Sequence, residues 1–287
     1  SRKEFKFWMR KVLWRHIVGI LISIFALFPL VWMVSAAFDV TSQLSTQKLI
    51  PKFKGLDNFD ALFSNSEKPY LTWVRNSLVI ATAAALLQTV IGALAAYSLS
   101  RHKFKGRRIT LTTILIVQMF PQLLAATTLF LIINSLGRTF TFLGLGHQLP
   151  LILIFGGAAL GVNTWMLKSF FDTIPSEIDE AAKIDGASEV QTFWLIFVPL
   201  AAPGLAVVAL LSFIGTFNEF ILARLFLVDM ESRTVAVGLQ QFIGGQYSQN
   251  WGPFAAGSIL ASIPIVIIFL SLQKYIVSGL TAGSVKG

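Results

Sequence analysis

The sequence has no cysteine in 287 residues. That excludes disulfides and thiolate metal sites. Histidine is scarce: His16, His102 and His147 lie far apart and offer no metal-ligand spacing. Charge is scarce as well. Only 13% of residues are Asp, Glu, Lys or Arg, where a soluble domain carries about 25%. The deficit is uneven, with charges in short bands and long uncharged runs between them. No H-E-x-x-H, no G-x-S-x-G and no paired carboxylates within an apolar run occur, so an enzyme would have no groups to do chemistry with. G-x-x-x-x-G-K-[ST] is missing too, so the sequence carries no phosphate loop for ATP.

In their place stand apolar runs; 55% of residues are hydrophobic. A helix needs about 20 apolar residues to cross the hydrocarbon core. Six stretches qualify: about Ile17 to Phe38, Ser77 to Leu99, Leu111 to Ile133, Leu149 to Leu167, Pro199 to Leu222 and Phe254 to Leu272. Pro29 is an expected kink in the first. The runs are continuous rather than alternating, so they read as helices and not barrel strands. The first run is too long for a signal-peptide core and reads as a retained helix. The expectation is an all-α polytopic membrane protein.

The net charge of +9 suggests nucleic acid or lipid headgroups. Most of it sits beside the apolar runs, which favours membrane lipid and no nucleic acid. Arg2, Lys3, Lys6, Arg10, Lys11 and Arg15 precede the first run. "RHKFKGRR", with Arg101, Lys103, Lys105, Arg107 and Arg108, follows the second. The positive-inside rule puts both in the cytoplasm, together with both termini. Residues 1–16 are then a cytoplasmic segment and 17–287 a membrane domain with its core at about 73–273.

By parity the loop at 172–198 is cytoplasmic, yet it is acidic: Asp172, Glu177, Asp179, Glu180, Asp185 and Glu189 against Lys168 and Lys183. Its sequence, "TIPSEIDEAAKIDGASEVQTFWLIFVP", reads as helix, glycine turn, helix. Ser176 with Asp179 makes an N-cap pair and Gly186 a stop. Ser188 with Gln191 caps a second helix that carries Val190, Phe193, Trp194 and Phe197. Small Ala181 and Ala182, flanked by acids, suit a docking surface; a solvated amphipathic loop is the plainer alternative.

The spacing Glu180-Ala181-Ala182, Gly186, Ile196 and Pro199 resembles the signature loop of the inner-membrane subunits of ABC importers, with Val198 where leucine is usual. "FPLVWMVSAAF" (28–38), "QMFP" (118–121), "TVAVGLQQF" (234–242), "WGPFAAGS" (251–258) and "GLTAGSVKG" (279–287) are similar to the MalG-like permeases of maltose/maltodextrin importers. Trehalose and other oligosaccharide importers carry similar subunits. The resemblance implies a type I ABC importer permease fold with six transmembrane helices. It implies a second, MalF-like permease chain, a dimer of MalK-like ATPase subunits that hold ATP and Mg, and an extracytoplasmic sugar-binding protein as partners. It assigns ATPase coupling to Glu180, Ala181, Ala182, Asp185 and Gly186, and ATPase contact to the tail residues Ser284, Val285, Lys286 and Gly287. Contact with the binding protein falls to the outer loop Gly244, Gly245, Gln246, Tyr247, Ser248, Gln249 and Asn250, where the glycine pair suggests a tight turn. It assigns no sugar ligand and no cofactor to this chain.

Other residues stay open. Asn218 and Glu219 fit a functional ionisable site, a pairing with Arg224, or simple exposure. Gln88, Gln118, Asn134, Asn163, Thr216 and Ser262 fit a polar path or interhelical hydrogen bonds. The many phenylalanines read as lipid-facing bulk. A secondary transporter, the competing class, would show internal repeats and broken helices in a longer chain. A voltage-gated channel would show regularly spaced arginines in a span.

Overall fold

The computed structural model describes residues 9–39, 55–65, 67–245 and 249–282. Regular structure among them is entirely helical. A π-helical turn, Met9–Leu13, leads into α1 (Trp14–Ala37). Pro29 lies inside α1 as one continuous helix. A short α2 (Asp57–Ser64) precedes the long α3 (Tyr70–Arg101). Gly106, at φ 97°, reverses the chain into α4 (Arg107–Gln118), and α5 (Gln122–Thr139) follows. Next come α6 (Gln148–Leu160) and α7 (Val162–Phe171), bent by 46°. After α8 (Glu177–Ile184), α9 (Glu189–Leu200) and α10 (Ala202–Phe217) meet at 79°. The described chain ends with α11 (Ile221–Phe226), α12 (Val235–Ile243) and α13 (Trp251–Ala282).

Three helices are long and apolar enough to cross a bilayer unbroken, and each bent pair makes one more, up to five. The third expected span differs. It is divided at Met119–Pro121 into α4 and α5. Pro121 has no N–H to donate and biases the residue before it away from the helical region. Twelve residues of α4 reach about 18 Å, short of the roughly 30 Å core. Helix breaks therefore do not separate this chain from a secondary transporter. At the other extreme, α13 runs through Thr281 and Ala282, past the expected end at Leu272.

The chain forms two compact units, Ser1–Tyr70 with Leu239–Ser262 and Leu71–Gly238 with Ile263–Gly287. In the first, Ala36 and Ala37 pack on Ala255 and Ala256, with Met33, Phe38, Phe59 and Ile259 around them. Small residues let backbones approach, which is what holds helices together in lipid. Asn58 donates to the carbonyls of Ala37 and Asp39, both at 2.9 Å, and so satisfies the C-terminal end of α1. The most apolar stretch of α1 buries nothing within the chain.

In the second unit α3 is the spine, with one core at each end. Ile80 packs with Ile133, Leu151, Ala223, Phe226, Leu227 and Val237. At the other end Ala93, Ala96 and Tyr97 pack with Leu167, Phe171, Phe193, Phe197, Ala201 and Val208. Those phenylalanines are core, not lipid-facing bulk. Phe25 and Phe28 of α1, by contrast, do face outward.

Candidate functional site

The acidic elbow forms as helix, turn, helix, but its two starts differ. Ser176 has helical backbone angles, φ −70° and ψ −22°, and its side chain makes no cap bond. A capping serine needs an extended backbone to aim its hydroxyl at the first N–H groups, so the expected Ser176 cap does not form. Glu177, Asp179 and Glu180 favour this helix end instead through the macrodipole. Ser188, with ψ 159°, does cap α9. Its Oγ accepts from the Gln191 N–H at 3.3 Å, and its own N–H donates to Gln191 Oε1 at 2.8 Å.

Between them Gly186 takes φ +76°. The Ala187 N–H donates to the Ala182 carbonyl at 2.9 Å and the Gly186 N–H to Lys183 at 3.1 Å. This pair of bonds is a Schellman ending, which an L side chain at Gly186 would strain. Glu180, Ala181, Asp185 and Gly186 are exposed together. Ile184 joins them at 85% exposure. Ala182, expected on the same outer surface, is 3% exposed and packs inward. The sequence reading did not single out Ile184, although its apolar character beside Asp185 was the available signal.

Charge holds the elbow to the spans. Arg101, the last residue of α3, places Nε 3.4 Å from Asp179 Oδ2. Its Nη2 donates to the carbonyls of Phe171 at 2.9 Å and Ile174 at 2.7 Å. The guanidinium also lies 4.6 Å from the centroid of the Phe197 ring. Glu189 gathers Tyr97 at 3.3 Å, His102 at 3.5 Å and Lys183 at 3.6 Å. Asp172 accepts from Lys168 and from the Ser100 hydroxyl.

These settings move two carboxyls in opposite directions. Burial pushes Asp172 up, but hydrogen bonds from Lys168 and Ser100 and the charges of Lys168 and Arg107 outweigh it, leaving its pKa below the ordinary value. Burial also pushes Asp179 up, and there the charges of Arg101 and Lys183 do not cancel it, so its pKa stays raised.

The remaining candidates separate. Gln88, Asn163 and Thr216 close on themselves with Ser212. Asn163 Nδ2 donates to Gln88 Oε1 at 3.0 Å and to Ser212 Oγ at 2.9 Å, and Gln88 Nε2 donates to Thr216 Oγ1 at 3.4 Å. These are interhelical hydrogen bonds. Gln118, Asn134 and Ser262 are exposed and lie outside that network. Glu219 is a cap: its carboxylate accepts from the N–H groups of Leu222 at 2.8 Å and Ala223 at 2.9 Å. In the outer loop the Asn250 N–H donates to the Phe242 carbonyl at 2.8 Å, and Trp251 Nε1 to Gln249 Oε1 at 3.1 Å. Among the described residues the left-handed glycines are Gly55, Gly106, Gly146 and Gly186, and neither Gly244 nor Gly245 is one of them. Gln246, Tyr247 and Ser248, and the tail Ser284, Val285, Lys286 and Gly287, lie outside the described residues. Among the described residues no cluster of His, Asp or Glu is arranged for a metal.

Residues 88–282 match the family model of the binding-protein-dependent transport system inner membrane component. The chain is 42% identical over 267 residues to the maltodextrin transport system permease protein MdxG of Bacillus subtilis, covering 93% of each. It is 40% identical to the trehalose/maltose transport system permease protein MalG of Thermococcus litoralis, over 94% of this chain and 96% of that one. A galactooligosaccharides transport system permease protein, GanQ of Bacillus subtilis, is 37% identical over 96% of each. The backbone superposes on a chain of a bacterial ABC transporter for alginate with a TM-score of 0.76 at 22% identity, over 96% of this chain and 98% of that one. That likeness establishes the fold. Matched over most of its length by family and relatives alike, the chain belongs to the inner-membrane components of binding-protein-dependent transport systems.

Proposed function

We propose that this chain is one of two permease subunits in an ATP-driven importer of malto-oligosaccharides, and that α8 with Gly186 is its coupling surface. The single observation that carries this reading is the exposed patch of Ile184, Glu180, Ala181 and Asp185 on a helix closed by a left-handed glycine. An apolar residue flanked by carboxylates suits a protein groove with basic walls. The occupant of that role is an ATPase dimer holding ATP and Mg, which the sequence itself has no phosphate loop to bind. The relatives named for maltodextrin and for trehalose/maltose support the sugar class.

In this reading the elbow and both termini lie in the cytoplasm, the loop at 244–250 meets a sugar-binding protein outside, and residues 284–287 touch the ATPases. A second, MalF-like permease chain completes the path. The test reconstitutes the chain with the permease, ATPases and binding protein encoded beside it, and measures ATP-dependent uptake of maltose, maltotriose, trehalose and a galacto-oligosaccharide. Uptake of maltotriose over the galacto-oligosaccharide supports the reading. Absence of ATP-dependent uptake of any of them sinks it.

A further inference from the structure

Resting on that permease reading, we infer that Arg101 is the positioning residue that makes the elbow and the spans move as one body. A displacement applied at α8 can be absorbed in two places. One is the short connection Asp172–Ser176 between α7 and α8; the other is the 79° break between α9 and α10. Something must bridge the elbow to the long helix, or the motion stays local.

Arg101 is placed to do this. It terminates α3 and reaches three other elements with one side chain. Nη2 bonds the carbonyls of Phe171 and Ile174 where α7 ends. Nε faces Asp179 on α8. The guanidinium carbon lies 4.6 Å from the centroid of the Phe197 ring in α9. The side chains of Arg101 and Asp179 are 13% and 17% exposed, so water competes weakly for these contacts.

The other polar links from α3 to this region each reach a single acid: Ser100 donates to Asp172 at 2.6 Å, and Tyr97 donates to Glu189 at 3.3 Å. Glu189 to His102 and to Lys183 are ion pairs at 3.5 and 3.6 Å between side chains about half exposed or more. Exposed pairs of that sort contribute little and yield readily to solvent. Arginine is also the one side chain suited to the whole task. Its planar fork donates in several directions while its face stacks, whereas lysine is a point charge with no face. Arg101 therefore fixes the angle between α3, α7, α8 and α9 and does not merely neutralise an acid.

The test uses the reconstituted complex. Binding-protein-stimulated ATP hydrolysis and sugar uptake are measured per assembled complex for Arg101→Gln and Arg101→Lys. Uptake per ATP hydrolysed should fall about tenfold in Arg101→Gln, within the range of allosteric couplings. Arg101→Lys should restore the amount of complex but not that ratio. Uptake and hydrolysis falling in proportion, or not at all, would overturn the inference.

A second measurement stands apart from transport. Because the chain has no cysteine, spin labels can be placed at Ser98→Cys on α3 and Glu177→Cys on α8. Their distance distribution should broaden with Arg101→Lys; an unchanged distribution also overturns the inference. A wild-type complex inert to ATP, yet with a distribution that broadens on Arg101→Lys, would instead count against the permease reading and leave the Arg101 link standing.

Discussion

The two ends of α3 are held by different chemistry. At its beginning, neutral side chains capture backbone. Trp73 Nε1 donates to Met230 O at 2.8 Å, and Asn76 Nδ2 donates to Glu231 O at 2.7 Å and Arg233 O at 2.9 Å. Gln148 Nε2 in turn donates to Asn76 Oδ1 at 2.8 Å, and Ser77 Oγ accepts the Val235 N–H at 2.8 Å. Gly238 lies so close that an added Cβ would come within 2.2 Å of the Trp73 indole. At its end, α3 meets the elbow through ion pairs, a guanidinium 4.6 Å from the Phe197 ring centroid and half-exposed carboxylates. Neutral bonds to backbone have one geometry and fix a shape. Ion pairs near water tolerate small rotations at little loss. The contrast sets a first end of fixed geometry against an elbow end that tolerates small rotations, as the proposed coupling role requires.

The sharpest attack on this contrast is Asn76→Asp. It removes both donors and sets a carboxylate against two carbonyls, a cost of about 3 kcal/mol or more. The thermal midpoint of the detergent-solubilised complex should drop well below that of any elbow variant. An equal drop from an elbow substitution would erase the distinction.

Next in size is Gly186→Val. An added Cβ meets nothing within 4 Å, so the cost is the backbone strain alone, about 1–2 kcal/mol. ATPase co-purification and uptake should fall while the thermal midpoint barely moves, and Ala181→Ser should do far less. Normal uptake by Gly186→Val would remove the coupling assignment.

Ser188→Ala should cost about 1 kcal/mol through the lost capping box, read as faster hydrogen exchange at the Gln191 amide. Ser176→Ala, which removes no cap bond, should leave exchange in α8 unchanged. Equal effects at the two serines would contradict the geometry.

The smallest effect is in pH. Asp172, held below its usual 3.8, contributes stability that is present above 3.8 and lost as pH falls towards its lower folded value. Asp179, held above 3.8, contributes stability that is present below 3.8 and lost as pH rises through its folded value. At neutral pH Asp172→Asn should lower the thermal midpoint, and Asp179→Asn should leave it level or raise it. The two should converge as pH is taken below 4, and parallel curves would show that the two carboxyls do not differ.

What could be read from the sequence was local. Gly186 and the Ser188 with Gln191 pair are decided by residues within a turn of each other, and they formed as read. Apolar runs located the three long apolar helices and the two bent pairs for the same reason. Ser176 failed because its cap depends on how the chain arrives from Ile174 and Pro175, which spacing does not report. The division at Pro121 was present in "QMFP" but outweighed there by a continuous apolar run. Arg101 was counted only as positive charge, because Phe171, Asp179 and Phe197 are 70 or more residues away along the chain. Ala182 turns inward instead of lying on the outer surface because the direction of a short helix's faces is set by what it docks on.

One feature of α9 bears on how this loop can vary. Thr192–Phe197 is wound as π-helix, so this stretch carries a residue more than an α-helical turn would hold. Each α-helical residue contributes about 100° of rotation and about 1.5 Å of rise. Deleting one residue here would let the stretch close to an ordinary α-helical turn and leave Pro199 and the break at Ala201 near their present phase relative to Gly186. The π turn thus holds one residue that the loop could lose without redirecting α10, whereas a further deletion would rotate α10 by about 100°.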